Sequence, residues 1–95
     1  RGGTENVYGI VGMAKALEIA YRDFEQDKQY ILGLKKYMIG QLVQQIEDVQ
    51  FNGNCADLEK SLYTVLNVSL PPSSFGDMLL FNLDIEKISA SGGSA

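Results

Sequence analysis

The chain has 95 residues, 45% of them hydrophobic and 21% charged, with a net charge of −4 at pH 7. That length allows one domain at most and encloses a deep pocket poorly, the composition excludes intrinsic disorder, and Lys and Arg scattered singly except at Lys35 and Lys36 exclude a basic nucleic-acid-binding stripe. With no histidine, a single cysteine, no signal peptide and no apolar run near the roughly 20 residues a bilayer requires, the reading is a cytoplasmic chain without a histidine-based dyad, an internal disulfide or a membrane anchor.

The chain opens on Arg1, Gly2, Gly3, Thr4, Glu5, Asn6 and Val7. Two glycines permit a tight turn, and the polar run leads into a helix whose first amide groups lack intrahelical acceptors. Two readings follow. Thr4 or Asn6 caps the helix, or the turn takes an anion, with the Thr4 hydroxyl, the Arg1 guanidinium and the helix dipole as its donors. Val7, Ile10, Val11, Ala14, Leu17, Tyr21 and Phe24 then recur at intervals of three and four, as one face of a helix does. Gly9 and Gly12 inside it point to a close approach of ligand or backbone, with plain close packing favoured for Gly12.

The polar cluster from Arg22 to Lys28 interrupts or bends that period. A second one follows through Ile31, Leu34, Met38, Leu42 and Ile46, so the expectation is a helical pair, or one long bent helix, to about Asp48. Gly33 and Gly40 either let two helices approach or are merely tolerated. Val49 to Phe51 reads as a short strand ahead of the turn pair Asn52-Gly53. Cys55, without a histidine or second cysteine, reads as an inert thiol. Leu62 to Leu70 is rich in β-branched and aliphatic residues and predicts a central strand, with Leu62, Thr64, Leu66, Val68 and Leu70 against the helices and Pro71-Pro72 stopping it. Ser74 to Asp77 reads as a capping box for a helix through Met78, Leu79, Leu80, Leu83 and Ile85. Lys87 to Ala90 reads as a strand and Ser91 to Ala95 as a mobile tail. The fold class expected is α+β: a long helix or helical pair packed on a small, mainly antiparallel sheet.

The opening string RGGTENV, followed by YGIVGMAKALEIA, resembles the segment R-[S/G]-G-T-x-N-x-x-x-I-V-G-x-x-x-A of the cysteine desulfurases, pyridoxal-phosphate enzymes of the class V aminotransferase group. The closing string SGGSA is similar to the S-x-G-S-A stretch ahead of the catalytic cysteine in the nitrogen-fixation and housekeeping branch of that family, with Gly92 in place of the more usual serine. The branch with arginine-threonine-glycine-histidine before its cysteine does not fit.

The resemblance implies a parent enzyme that takes sulfur from L-cysteine as an enzyme persulfide, releases alanine, and serves iron–sulfur assembly or thiolation through an acceptor or scaffold protein. It implies a homodimer in which Thr4 reaches the cofactor phosphate of the neighbouring subunit, with Gly3 and, more weakly, Arg1 shaping the same turn. It further implies that residues 1–95 are one truncated small domain of a fold-type I enzyme. In that layout 1–6 is the phosphate turn and 91–95 the start of the mobile cysteine loop, the nucleophile being the next residue. The Schiff-base lysine and the substrate-carboxylate arginine would lie outside these residues, so the piece alone is expected to be inactive and without bound pyridoxal phosphate. Two other readings remain open: a selenocysteine lyase or other class V relative, and a non-enzymatic α+β interaction module.

Overall fold

A computed structural model describes residues 2–74 and 76–93. A single helix, α1, runs unbroken from Val7 to Gln45. At about 1.5 Å per residue its 39 residues span roughly 58 Å, which accounts for the 59 Å long axis of the molecule. Of the two expectations, the single helix holds and the pair does not. The cluster from Arg22 to Lys28 contains neither proline nor glycine, and Arg, Glu, Gln and Lys are good helix formers, so charge there changes which face meets water without breaking the backbone. Within it Arg22 pairs with Asp23 at 2.8 Å on the surface. The helix ends three residues before Asp48: Ile46 is already extended, though its N–H still reaches the Leu42 carbonyl, and Asp48 takes a left-handed φ of 61° that turns the chain back.

Strand β1 (Gln50–Phe51) pairs antiparallel with β2 (Val68–Ser69), Gln50 opposite Ser69 and Phe51 opposite Val68. The Asn52 N–H donates to the Asn67 carbonyl at 3.0 Å, and the two side-chain amides join at 2.8 Å, continuing the ladder one step. The architecture is therefore α+β as expected: a long helix, a short helix and a small antiparallel sheet.

The predicted central strand from Leu62 to Leu70 contracts to those two residues. A strand needs neighbours for its amides, and β1 provides partners for two residues alone. Instead Tyr63 and Thr64 turn, the Val65 N–H donating to the Leu62 carbonyl. The assigned faces change with it: Leu66 and Val68 are half-buried, Leu62, Thr64 and Leu70 are exposed, and Tyr63, assigned outward, turns in.

The helix predicted after Pro71-Pro72 is present as α2, Leu79–Ile85, entered through a 3-10 turn at Gly76–Met78. Its N-cap is Met78, with no side-chain hydrogen bond, so the capping box from Ser74 to Asp77 does not form the start of this helix; Phe75 of that box lies outside the described residues. The predicted strand from Lys87 to Ala90 is also absent. Lys87 adopts a φ of 62°, its N–H meets the Asp84 carbonyl and the Ile88 N–H meets the Leu83 carbonyl, a closed helix end incompatible with starting a strand there.

What core exists lies between the middle of α1 and the loop joining β1 to β2. Phe24 on α1 meets Tyr63 edge-on, ring centroids 6.3 Å apart, with the Lys28 ammonium 5.8 Å from the Phe24 ring. Among the described residues, Lys35 and Cys55 are the buried ones. The Lys35 ammonium donates to the Ser61 hydroxyl at 2.8 Å and to the Leu62 carbonyl at 3.0 Å, while the Cys55 thiol donates to the Asn67 carbonyl at 3.1 Å.

Candidate functional site

The candidate site is the turn before α1. Gly2 takes a φ of 64°, a conformation glycine adopts without penalty, and Gly3, Thr4 and Glu5 follow as exposed, irregular backbone. Asn6 is the helix cap: its side-chain oxygen accepts from the Gly9 N–H at 3.0 Å, and the Ile10 N–H reaches the Asn6 carbonyl at 3.0 Å. The choice between Thr4 and Asn6 as cap is thereby decided.

The same contact explains Gly9. A Cβ at that position would stand 2.8 Å from the Asn6 amide nitrogen, so a side chain there would displace the cap. The close approach that the glycine signalled is therefore the chain's own. Around Gly12, Gly33 and Gly40 nothing lies within 4 Å, which corrects the close packing favoured for Gly12: among the described residues there is no neighbour for it to pack against.

With Asn6 holding the cap, Thr4 is exposed and makes no hydrogen bond among the described residues, and its hydroxyl is available to an external group. The donors of the first helical turn are partly spent, since the Val7 N–H goes to the Glu5 carbonyl and the Gly9 N–H to Asn6. The helix adds its N-terminal partial positive charge with no acidic residue in the first turn, and Glu5 outside it adds a negative one. Arg1 lies outside the described residues.

Among the described residues, no hydrogen bond joins this turn to the core. Thr4 stands some twenty residues before Phe24, where the loop first meets α1, and about 30 Å of helix separates the two. The turn can therefore offer a hydroxyl and backbone amides to an anion but cannot enclose one. A phosphate held elsewhere fits these residues; a phosphate bound by them alone does not.

At the other end, Ser91, Gly92 and Gly93 run as irregular backbone. A Cβ on Gly92 would come within 3.3 Å of Leu80 Cδ1 on α2, so the small residue there allows this stretch to lie against the helix. Ser94 and Ala95 of the proposed cysteine loop lie outside the described residues. Cys55, buried and bonded to a backbone carbonyl, is remote from both ends of the motif in sequence.

The family model for aminotransferase class V matches residues 1–95. The chain belongs to that family. It is similar to cysteine desulfurase IscS of Dictyoglomus turgidum, 36% identical over 95 residues, covering all of this chain and 23% of that protein. It is likewise similar to the IscS of Pseudoalteromonas translucida, 34% identical over the whole chain and 22% of that protein, and to that of Methanosarcina thermophila, 37% identical with 22% of that protein covered. The chain thus spans about a quarter of the length of the curated relatives it matches. No solved structure matches at a comparable level.

Proposed function

We propose that these residues form the small-domain part of a pyridoxal-phosphate-dependent cysteine desulfurase. In that reading the parent enzyme moves the sulfur of L-cysteine onto an enzyme cysteine as a persulfide: the substrate carbon–sulfur bond breaks, the sulfur bonds to the enzyme thiolate, and alanine leaves. The sulfur passes to an acceptor or scaffold protein for iron–sulfur assembly or thiolation in the cytoplasm. Pyridoxal phosphate supplies the electron sink that makes the carbon–sulfur bond labile when bound.

Within this scheme the present residues do no bond chemistry. Residues 1–6 are the phosphate turn, and Thr4, with Gly3 and Arg1 beside it, reaches the cofactor phosphate of the second subunit of a homodimer. Residues 91–95 begin the mobile loop that delivers the nucleophilic cysteine. What supports the reading above all is the match of the whole chain to cysteine desulfurases, with the desulfurase-like motifs at both ends. The exposed Thr4 hydroxyl, left free by Asn6 at an open helix start, supports its placement as a contributed half of a site.

The test uses the parent enzyme. Purified wild type should carry a stoichiometric cofactor absorbance band and release sulfide on addition of L-cysteine. Thr4→Val should weaken cofactor retention by about tenfold to a hundredfold, the loss of one hydrogen bond to a charged group, with helical content unchanged. Unchanged cofactor affinity in that variant removes Thr4 from the phosphate site. A cofactor band from residues 1–95 alone would contradict the inactive status assigned to them.

A further inference from the structure

Thr4 and Asn6 are both preferred helix caps, they stand two positions apart, and the start of α1 takes one of them. Asn6 holds the place, its side-chain oxygen accepting from the Gly9 N–H at 3.0 Å. Gly9 is what leaves room for that side chain, since a Cβ there would stand 2.8 Å from the Asn6 amide nitrogen and 3.1 Å from its Cγ. The other glycines of α1, at positions 12, 33 and 40, have nothing within 4 Å of an added Cβ. Inside a helix glycine is ordinarily a cost that alanine removes. At position 9 alone, the missing side chain keeps a cap in place.

An alternative helix start is written two residues upstream. Were Asn6 to give up the cap, Thr4 would be the capping residue next in reach, and the first turn would then begin with Glu5, a carboxylate that the helix dipole favours there. The Val7 N–H, now bonded to the Glu5 carbonyl at 3.0 Å, lies at the three-residue spacing that a Thr4 cap uses. That exchange lengthens the helix by two residues. Non-helical backbone advances by up to about 3.3 Å per residue and a helix by about 1.5 Å, so Thr4 would be drawn back by up to roughly 3.6 Å, beyond the tolerance of a hydrogen bond. Its hydroxyl oxygen would also be engaged by the Val7 amide.

We infer that Asn6 and Gly9 are paired positioning residues: together they hold the start of α1 at Val7 and so keep the Thr4 hydroxyl ahead of the helix, unspent and directed to the cofactor phosphate. Neither of the two touches the phosphate itself. The inference rests on the phosphate role proposed for Thr4 above and adds what keeps that hydroxyl in place.

Titration of the full-length parent apoenzyme with pyridoxal phosphate, followed by absorbance, tests it. Asn6→Ala and Gly9→Ala should each weaken cofactor binding about fivefold, the equilibrium factor that a typical cap is worth. Asn6→Ser, which can cap at the same position, should recover most of that loss. Adding Gly9→Ala to the Thr4→Val enzyme should change nothing further, because no hydroxyl is left to misplace. Wild-type affinity in Gly9→Ala beside a weakened Thr4→Val overturns the positioning role and leaves the phosphate role of Thr4 standing. An equal loss from Gly9→Ala with and without the Thr4 hydroxyl assigns the effect to general damage and overturns the role as well. Should Thr4→Val itself bind the cofactor like wild type, the phosphate role fails and the positioning role falls with it.

Discussion

Lys35 shows how one residue can hold this chain together. The residue is 6% exposed, and its ammonium has no carboxylate partner among the described residues and is bonded to the neutral oxygens of Ser61 and Leu62, whereas an ion buried without hydrogen bonds is costly. Ser61 in turn donates to the Asp57 carbonyl, so the contact fixes the turn from Asp57 to Leu62 as well as its attachment to α1. Lys35→Met, which keeps the stem and removes the charge, should cost about 1–3 kcal/mol in urea unfolding of the parent and speed amide exchange in residues 57–66. An unchanged exchange rate there would mean that Phe24 and Tyr63 hold the loop by themselves. The surface pair Arg22 and Asp23 makes a different prediction. The hydrogen bond from Arg22 holds the Asp23 carboxyl below its ordinary range, and the same bond raises Arg22. Because the folded value is the depressed one, the pair's contribution is present above the unfolded carboxylate pKa, near 3.9, and is lost as pH falls through the folded value. It is small and screened by salt, so the readable quantity is the titration itself. By NMR, Asp23 should titrate below an exposed reference carboxylate, and Arg22→Gln should abolish the difference.

Among the elements, α1 dominates because nothing in its 39 residues interrupts it. Of its four glycines, Gly9, Gly12, Gly33 and Gly40, those in mid-helix each cost about 1 kcal/mol relative to alanine, too little to break a helix of this length anchored by the loop. The end of α2 is more finely balanced. Lys87 occupies the left-handed position that closes the helix, where a residue with a Cβ is strained and glycine is not. Lys87→Gly should therefore stabilise the parent by about 1 kcal/mol in thermal or urea unfolding. Had Lys87 begun a strand, as its sequence context suggested, glycine would destabilise the position instead. The sheet stays at two strands for a related reason: β1 offers partners to Val68 and Ser69 and no further strand is present among the described residues to pair with Leu62 to Leu66.

At the scale of the whole molecule the dimensions are those of an incomplete body. The radius of gyration is 19.0 Å, against about 12 Å for a compact domain of this length, and no side chain among the described residues is fully buried. Residues 1–95 prepared alone should consequently unfold by urea in a broad, weakly cooperative transition followed by circular dichroism, and should bind an apolar dye that the parent does not. A sharp two-state transition of the isolated piece would show that its own loop contacts suffice. Sequence alone determined the local structure: the three-and-four spacing from Val7 made the helix, Asn6 lay in the polar run that could cap it, and the string from Arg1 to Gly12 carried the family. These are properties of neighbouring residues, and short-range physics writes them into the order of side chains. Which of Thr4 and Asn6 caps the helix, that α1 passes straight through its charged cluster, that the stretch from Leu62 loses its strand, and that Lys87 closes a helix were decided by the tertiary structure. Each depends on what partner is within reach, and no run of letters specifies that partner: a strand forms where amides find acceptors across a gap, and a hydroxyl is free only when another residue has taken its place.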